Sequence, residues 1–267
     1  MKHARKDVWA SGDAYEQYVG RWSRSVAAEF LNWLAIPPQQ AWIDVGCGTG
    51  ALTQTIVQDR DPTRVIGIDP SEGFIAHATA QMPNGRATFR VGDAQALPVG
   101  NNEFDAAVSG LVINFVPDHA KAVSEMARVT KTGGVVAAYV WDYAGEMQMM
   151  RRFWDAAVAL DPAARSFDEG VRFPVCRPDA LQALFASIGL ADVQVRSLDV
   201  PTTFRNFEDF WTPFLSGQAP APGYCVSLSP DKREELRQAL DSSLKRDADG
   251  SIRLTARAWA VRGTVVW

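Results

Sequence analysis

The stretch Trp42-Ile-Asp-Val-Gly-Cys-Gly-Thr-Gly50 constrains this chain more than any other. Residues 41–45 are apolar apart from Asp44, as a buried strand requires. Glycine then takes every second position, at 46, 48 and 50, and Ala51 to Gln58 follows as a helix-forming run. Strand, glycine turn and helix together present bare backbone N–H groups to a ligand. Glycine is needed because a Cβ would block close approach and because such a turn visits positive φ. The first expectation is a nucleotide-like ligand lying over this loop.

The neighbouring segments predict the frame that carries the loop. Residues 14–34 read as one helix, or two joined at Gly20, ended by Pro37-Pro38. Strands are predicted at 41–45, 65–69, 88–92, 106–109 and 135–141. Helices are predicted at 51–59, at 71–81 with Ser71 as N-cap, and at 118–129, where Lys131-Thr-Gly-Gly134 reads as a glycine C-cap. Five strands alternating with helices in about a hundred residues imply a doubly wound α/β parallel sheet. Beyond Asp142 the spacing predicts helices at 145–160, 178–188, 206–215 and 230–244, and strands at 192–200 and 251–266. Residues 161–174 read as loop and 217–223 as a Pro/Gly-rich spacer. In the last strand, Ala256, Ala258 and Ala260 are assigned to one side and Ile252 and Leu254 to the other.

Charge and cysteine usage exclude some classes of partner. The 267 residues carry a net charge of −4, and no basic block exceeds the pairs Arg151-Arg152 and Lys232-Arg233. A nucleic-acid partner held by phosphate neutralisation is therefore not expected. The three cysteines, Cys47, Cys176 and Cys225, have no metal-ligand spacing and suggest a reducing compartment. Cys47 reads as a small residue that fits the loop. No leader-like or membrane-spanning apolar run is seen, so a cytoplasmic protein without a membrane partner is expected.

An acid at the end of the second strand is what a ribose needs, since two adjacent hydroxyls can donate to one carboxylate. Asp69 is that acid, 19 residues after Gly50. These residues alone leave NAD and other adenosine ligands open. The loop leans away from NAD: it is Gly-x-Gly-x-Gly rather than Gly-x-Gly-x-x-Gly, and Asp44 precedes it. An acid there repels a pyrophosphate and suits a ligand carrying an amino group and a sulfonium.

Five ordered motifs carry a resemblance. They are Asp44-Val-Gly-Cys-Gly-Thr-Gly50, Gly67-Ile-Asp69-Pro-Ser71, Gly92-Asp93-Ala94, Phe104-Asp105 before a strand, and Arg128-Val with Gly133-Gly134. Together the chain resembles the class I S-adenosylmethionine-dependent methyltransferases, in particular the type 11, ubiquinone-biosynthesis-like group. The resemblance implies a Rossmann-like, mostly parallel seven-stranded sheet with an antiparallel last strand and helical lid insertions. It implies one methyltransferase domain over 1–267, with an N-terminal cap at 1–36 and acceptor-side inserts at 143–176 and 204–249.

The resemblance also assigns roles to residues. Gly46, Cys47 and Gly48 line the methionine part of S-adenosylmethionine, and Asp44 supports the loop. Asp69, followed by Pro70 and Ser71, binds the ribose. Phe74 underlies the adenine, and Asp93 and Ala94 read its amino edge. Ser109, Gly110 and Leu111 face the sulfonium and methyl. Tyr18 and Arg21 match the family only loosely; from their place among the aromatics before the first strand they are expected to close over the cofactor. For a small-molecule acceptor the candidates are Asn114, Trp141 and Trp211. Ile113-Asn114-Phe115 stands where many relatives carry histidines, and His3, His77 and His119 read as structural or solvated, so no catalytic base is named. A monomer or homodimer is expected. An NAD(P)-dependent oxidoreductase and a non-catalytic cofactor-binding protein are the alternatives.

Overall fold

Strands that are apolar on both faces need helices on both sides, and parallel pairing supplies them. The computed structural model describes residues 20–83, 85–217 and 219–267. In it β1 (Ala41–Val45) is buried at every position, and β2 (Arg64–Asp69) at every position but its first. β1 pairs in parallel with β2 and with β4 (Phe104–Gly110). β2 pairs in parallel with β3 (Ala87–Val91), and β4 with β5 (Thr130–Trp141). β7 (Ile252–Thr264) runs antiparallel to β5, from Val135 opposite Thr264 to Trp141 opposite Ala258. With β6 (Ala191–Phe204) the order is β3-β2-β1-β4-β5-β7-β6. This is the expected seven-stranded α/β sheet with an antiparallel final strand. The order reverses between β1 and β4, and in such sheets ligands bind beyond the strand carboxyl ends at that point.

By its contacts the chain divides into two compact units, one of residues 22–141, 175–198 and 258–267, the other including 142–174 and 199–257. In the first, α1 (Arg21–Leu34) sets Phe30 4.7 Å from the Tyr139 ring, and Arg262 Nη1 donates to its last carbonyl, Leu34 O, at 3.1 Å. The helices α2 (Ala51–Asp59), α3 (Glu72–Gln81) and α4 (His119–Val129) follow β1, β2 and β4. Ser71 Oγ accepts from Phe74 N at 3.3 Å and Asp118 Oδ1 from Lys121 N at 2.9 Å, so both predicted helix starts have side-chain caps. Arg128 earns its place in the sequence through the preceding loop. Its guanidinium donates to Leu97 O and Val99 O, both at 3.1 Å, and binds Glu125, whose Oε2 accepts from Leu97 N at 2.8 Å.

The remaining helices are α5 (Gln148–Leu160), α6 (Glu169–Arg172), α7 (Pro178–Ser187), α8 (Phe207–Trp211), α9 (Pro220–Ser227) and α10 (Pro230–Ser243). All but α7 belong to the second unit. Its core is aromatic: Phe153 stacks on Phe214 with centroids 4.5 Å apart, and Trp154 lies 5.4 Å from Tyr224. Phe207, Phe210, Trp211 and Phe214 are all buried. Glu169 is buried too and accepts from Trp154 Nε1; burial pushes its carboxyl up to about 7.

Several local expectations change. Lys131–Gly134 is not a C-cap: α4 ends at Val129 and the chain enters β5 at Thr130. Gly133, at φ +81, bends that strand so that its N–H reaches Val265 O at 2.8 Å. A Cβ on Gly134 would come within 2.8 Å of Asp105 O, so that glycine serves close strand approach. The 217–223 spacer contains a helix start, with Pro220 in the first turn of α9, where its missing N–H costs nothing. The 161–174 loop folds into short helical turns capped by Asp161 and Asp168. In β7 the residues Ile252, Leu254, Ala256, Ala258 and Ala260 share one face, because side chains alternate with a period of two.

Glu125→Ala removes the acceptor of a buried N–H and the partner of Arg128. Denaturant melts at neutral pH should show a loss of about 2–3 kcal/mol. Arg128 holds the Glu125 carboxyl below its ordinary value. The wild-type advantage should therefore be full above that ordinary value and vanish as pH falls through the lower, folded one.

Candidate active site

The loop after β1 turns on glycine three times, with φ of +77, +53 and +89 at Gly46, Gly48 and Gly50. At Gly46 a side chain is excluded on both grounds, since a Cβ would also overlap Val112. The loop is fastened to β2: Gly46 N and Cys47 N donate to Ile68 O at 2.7 and 3.0 Å. Gly67 lets the two strands' ends pack, because a Cβ there would meet Phe89 at 2.6 Å and Cys47 Sγ at 2.9 Å.

Asp69 joins the two turns. Its Oδ2 accepts from Gly48 N at 3.0 Å and its Oδ1 from Ser71 N at 2.9 Å. Burial pushes this carboxyl up, and the two backbone donors oppose that push. Asp44 lies deeper, fully buried. Thr53 Oγ1 donates to its Oδ2 at 2.7 Å, while Oδ1 has no partner among the described residues. Burial raises it to about 7 against the hydrogen bonds from Thr53, with the Asp69 charge adding to the rise. The Cys47 thiol is pushed far up by burial and by both carboxylates, which leaves it a packing group.

The end of β4 completes the edge. Ser109 Oγ donates to Val45 O at 2.7 Å and ties β4 to β1. Gly110 is flush against Tyr139, whose hydroxyl would sit 2.6 Å from a Cβ there. Leu111 takes φ +62, a left-handed conformation unusual for leucine, with its N–H on Tyr139 O at 2.8 Å. In the single turn Ile113–Phe115, Asn114 is buried and neither amide atom has a partner among the described residues. Trp141, the last residue of β5, is buried with its Nε1 likewise unpartnered.

The other candidates are spread more widely. Phe74 is half-buried at the start of α3 and Pro70 is exposed. Asp93 is exposed and Ala94 half-buried just beyond β3. Trp211 belongs to the second unit, stacked on Phe207 at 6.4 Å. Tyr18 lies outside the described residues; Arg21 opens α1, and its side chain lies outside them too. The sequence reading missed Thr53, which partners Asp44, and Gln95, which covers Asp93. A threonine on the buried face of α2 was the available signal for the first, and the run Asp93-Ala-Gln95 for the second. Among the described residues no helix is long and apolar enough to cross a membrane, and no group of His, Cys, Asp and Glu could hold a metal ion.

Known proteins share this arrangement of strands and motifs. Residues 43–138 match the family described as Methyltransferase domain. Trans-aconitate 2-methyltransferase of Deinococcus radiodurans is 30% identical over 218 residues, 76% of this chain and 81% of that protein. Demethylmenaquinone methyltransferase of Roseiflexus castenholzii is 32% identical over 178 residues, 61% of this chain and 73% of that protein. The solved structure of YcgJ from Bacillus subtilis has the same fold, with a TM-score of 0.61 at 16% identity, covering 90% of this chain and 97% of that one. The chain belongs to the class I S-adenosylmethionine-dependent methyltransferases. It is an enzyme, and its cofactor is S-adenosylmethionine. The dehydrogenase alternative falls with that assignment.

The raised Asp44 carboxyl gives the free protein a measurable signature. Between the ordinary carboxylate value and about 7, the unfolded chain loses this proton while the folded chain keeps it. Its effect on stability is therefore unfavourable with rising pH across that window. Asp44→Asn removes the effect. Melts at pH 4 and pH 7.5 should show the stability difference between Asp44→Asn and wild type shift towards the variant at the higher pH, by a few kcal/mol. A pH-independent difference would contradict the assignment.

Proposed function

We propose that the carboxyl ends of β1 to β4 hold the adenosyl cofactor, and that a small organic acceptor meets its methyl group at the ends of β4 and β5. One observation carries this reading. Asp69 spends two of roughly four acceptor positions on Gly48 and Ser71, and keeps the others for two ribose hydroxyls. The second buried acid supports it: the unpartnered Oδ1 of Asp44 suits the ammonium of a methionine moiety. Gly46, Cys47 and Gly48 offer backbone atoms alongside. Pro70 and Ser71 shape the turn that holds Asp69, and Phe74 gives an apolar face for the base. Asp93 and the Ala94 N–H read the adenine amino edge.

Bound S-adenosylmethionine supplies a methyl group already activated by positive sulfur. What the chain adds is alignment and exclusion of water, which in oriented reactions contribute about 7–11 kcal/mol. Ser109 fixes the end of β4 to β1, Gly110 admits the Tyr139 ring, and Leu111 is held in a costly conformation, so this wall is rigid. Asn114 and Trp141 bring buried hydrogen-bonding atoms to the acceptor, which therefore carries at least one polar atom among apolar ones. A base is required only for an acceptor that holds its proton at working pH. The two relatives named above have different acceptors in their names, trans-aconitate and demethylmenaquinone, so likeness does not choose between them. Trp211 is buried in the second unit, packed against Phe207 and Phe214.

Release of S-adenosylhomocysteine from a panel of small acceptors, including those two, tests the reading. For the compound that turns over, Trp141→Phe keeps a six-membered aromatic ring and removes the Nε1–H with the fused five-membered ring. It should raise KM about 3–10-fold and leave the affinity for S-adenosylhomocysteine unchanged. An unchanged KM would remove Trp141 from the acceptor site.

A further inference from the structure

Gln95 makes more hydrogen bonds to the proposed adenine-reading acid than any peptide turn requires. Its backbone N–H donates to Asp93 Oδ1 at 2.8 Å, an ordinary turn contact. Its side-chain Nε2 then donates across both carboxylate oxygens, at 3.1 Å to Oδ1 and 3.2 Å to Oδ2. The other end of the same amide is also engaged: Oε1 accepts from Asp118 N at 3.2 Å, at the N-cap of α4. Asp93 is exposed, and among the described residues no other hydrogen bond holds its side chain.

This combination singles out the amide. A carboxylate needs a donor and the Asp118 N–H needs an acceptor, so one side chain serving both must carry each kind of atom. A glutamate at 95 accepts from Asp118 but presents a like charge to Asp93. An alanine does neither. An exposed carboxylate left free samples several rotamers, and holding it costs side-chain entropy when a ligand binds. Gln95 removes that cost in advance by fixing the carboxylate against the rigid start of a helix.

We propose that Gln95 is a positioning residue that aims Asp93 at the adenine amino group and so sets the enzyme's preference for adenosyl over inosyl cofactors. The proposal rests on the reading of Asp93 given above. The backbone N–H and the bifurcated Nε2 bond fill Oδ1 but leave one lone pair of Oδ2 open, so the amide orients the acid and keeps one acceptor position for the adenine amino group. An inosyl ligand carries a carbonyl oxygen where adenine carries its amino group, and an aimed carboxylate repels it.

Calorimetric titration of S-adenosylhomocysteine and of S-inosylhomocysteine into the full chain tests this. Wild type should favour the adenosyl compound by at least tenfold. The isosteric Gln95→Glu, which keeps the acceptor for Asp118 and loses the donor, should cut that preference at least fivefold, mainly by weakening the adenosyl compound. Gln95→Met, which loses both without adding charge, should also cut it, with melting temperature within a few degrees of wild type. A purely structural role would change both ligands alike and leave their ratio intact, and that result overturns the proposal. Asp93→Asn separates the premise from the proposal. If Asp93→Asn keeps the full preference, Asp93 is not the adenine reader and the reading of the site fails. If it loses the preference while Gln95→Glu and Gln95→Met keep it, only the role of Gln95 fails.

Discussion

One carboxylate holds the ligand edge of this sheet together. Asp69 takes an N–H from Gly48, in the turn after β1, and another from Ser71, in the turn after β2. Two loops that arise from different strands are thereby fixed to a common point. The glycine turn is braced on its other side by Gly46 and Cys47, both donating to the carbonyl of Ile68, the residue before Asp69. A buried carboxylate is costly unless hydrogen-bonded, and backbone N–H groups are donors that cannot rotate away. The acid proposed to meet the ribose therefore also sets the shape of the turn beside it.

Polar groups at the two ends of the sheet have different surroundings. At the amino end, Ala41 N donates to Asp105 Oδ2 at 2.8 Å and Lys131 Nζ to Asp105 Oδ1 at 2.7 Å, which ties β1, β4 and β5 together. At the carboxyl end, Asp44 Oδ1, both amide atoms of Asn114 and Trp141 Nε1 are buried without partners among the described residues, and Leu111 is in a left-handed conformation. Unsatisfied groups and backbone strain gather where function requires them and are offset by packing elsewhere. Asp44 Oδ1, the two amide atoms of Asn114 and Trp141 Nε1 lie at the end where the strand order reverses, while Trp42 Nε1, Arg60 Nε, Thr202 Oγ1 and Ser251 Oγ are unpartnered elsewhere among the described residues.

How much of this was legible in the sequence depends on how local the signal is. β1, the three loop glycines, Asp69 at the end of β2 and the Ser71 cap are written in consecutive residues, and each was readable from spacing alone. Lys131–Gly134 was misread because a glycine pair after a helix has two physical uses, capping and close strand approach. The partner that decides between them, Val265, is over a hundred residues away in sequence. The 217–223 segment was misread because proline breaks a helix in its interior yet starts one at its first turn. Thr53 and Gln95 were passed over for a related reason. Each acts through an acid whose identity was clear, but a second residue behind a first leaves no periodic trace.

The central claim is that Asp69, held by two backbone donors, is the group that grips the adenosyl ribose. Calorimetric titration of S-adenosylhomocysteine against wild type and Asp69→Ala tests it most directly, with 2′-deoxyadenosylhomocysteine as a second ligand. The account predicts that Asp69→Ala weakens the parent ligand by at least tenfold and the deoxy ligand much less, since one of the two hydroxyls is already missing. Equal affinity of wild type and Asp69→Ala for S-adenosylhomocysteine would contradict it.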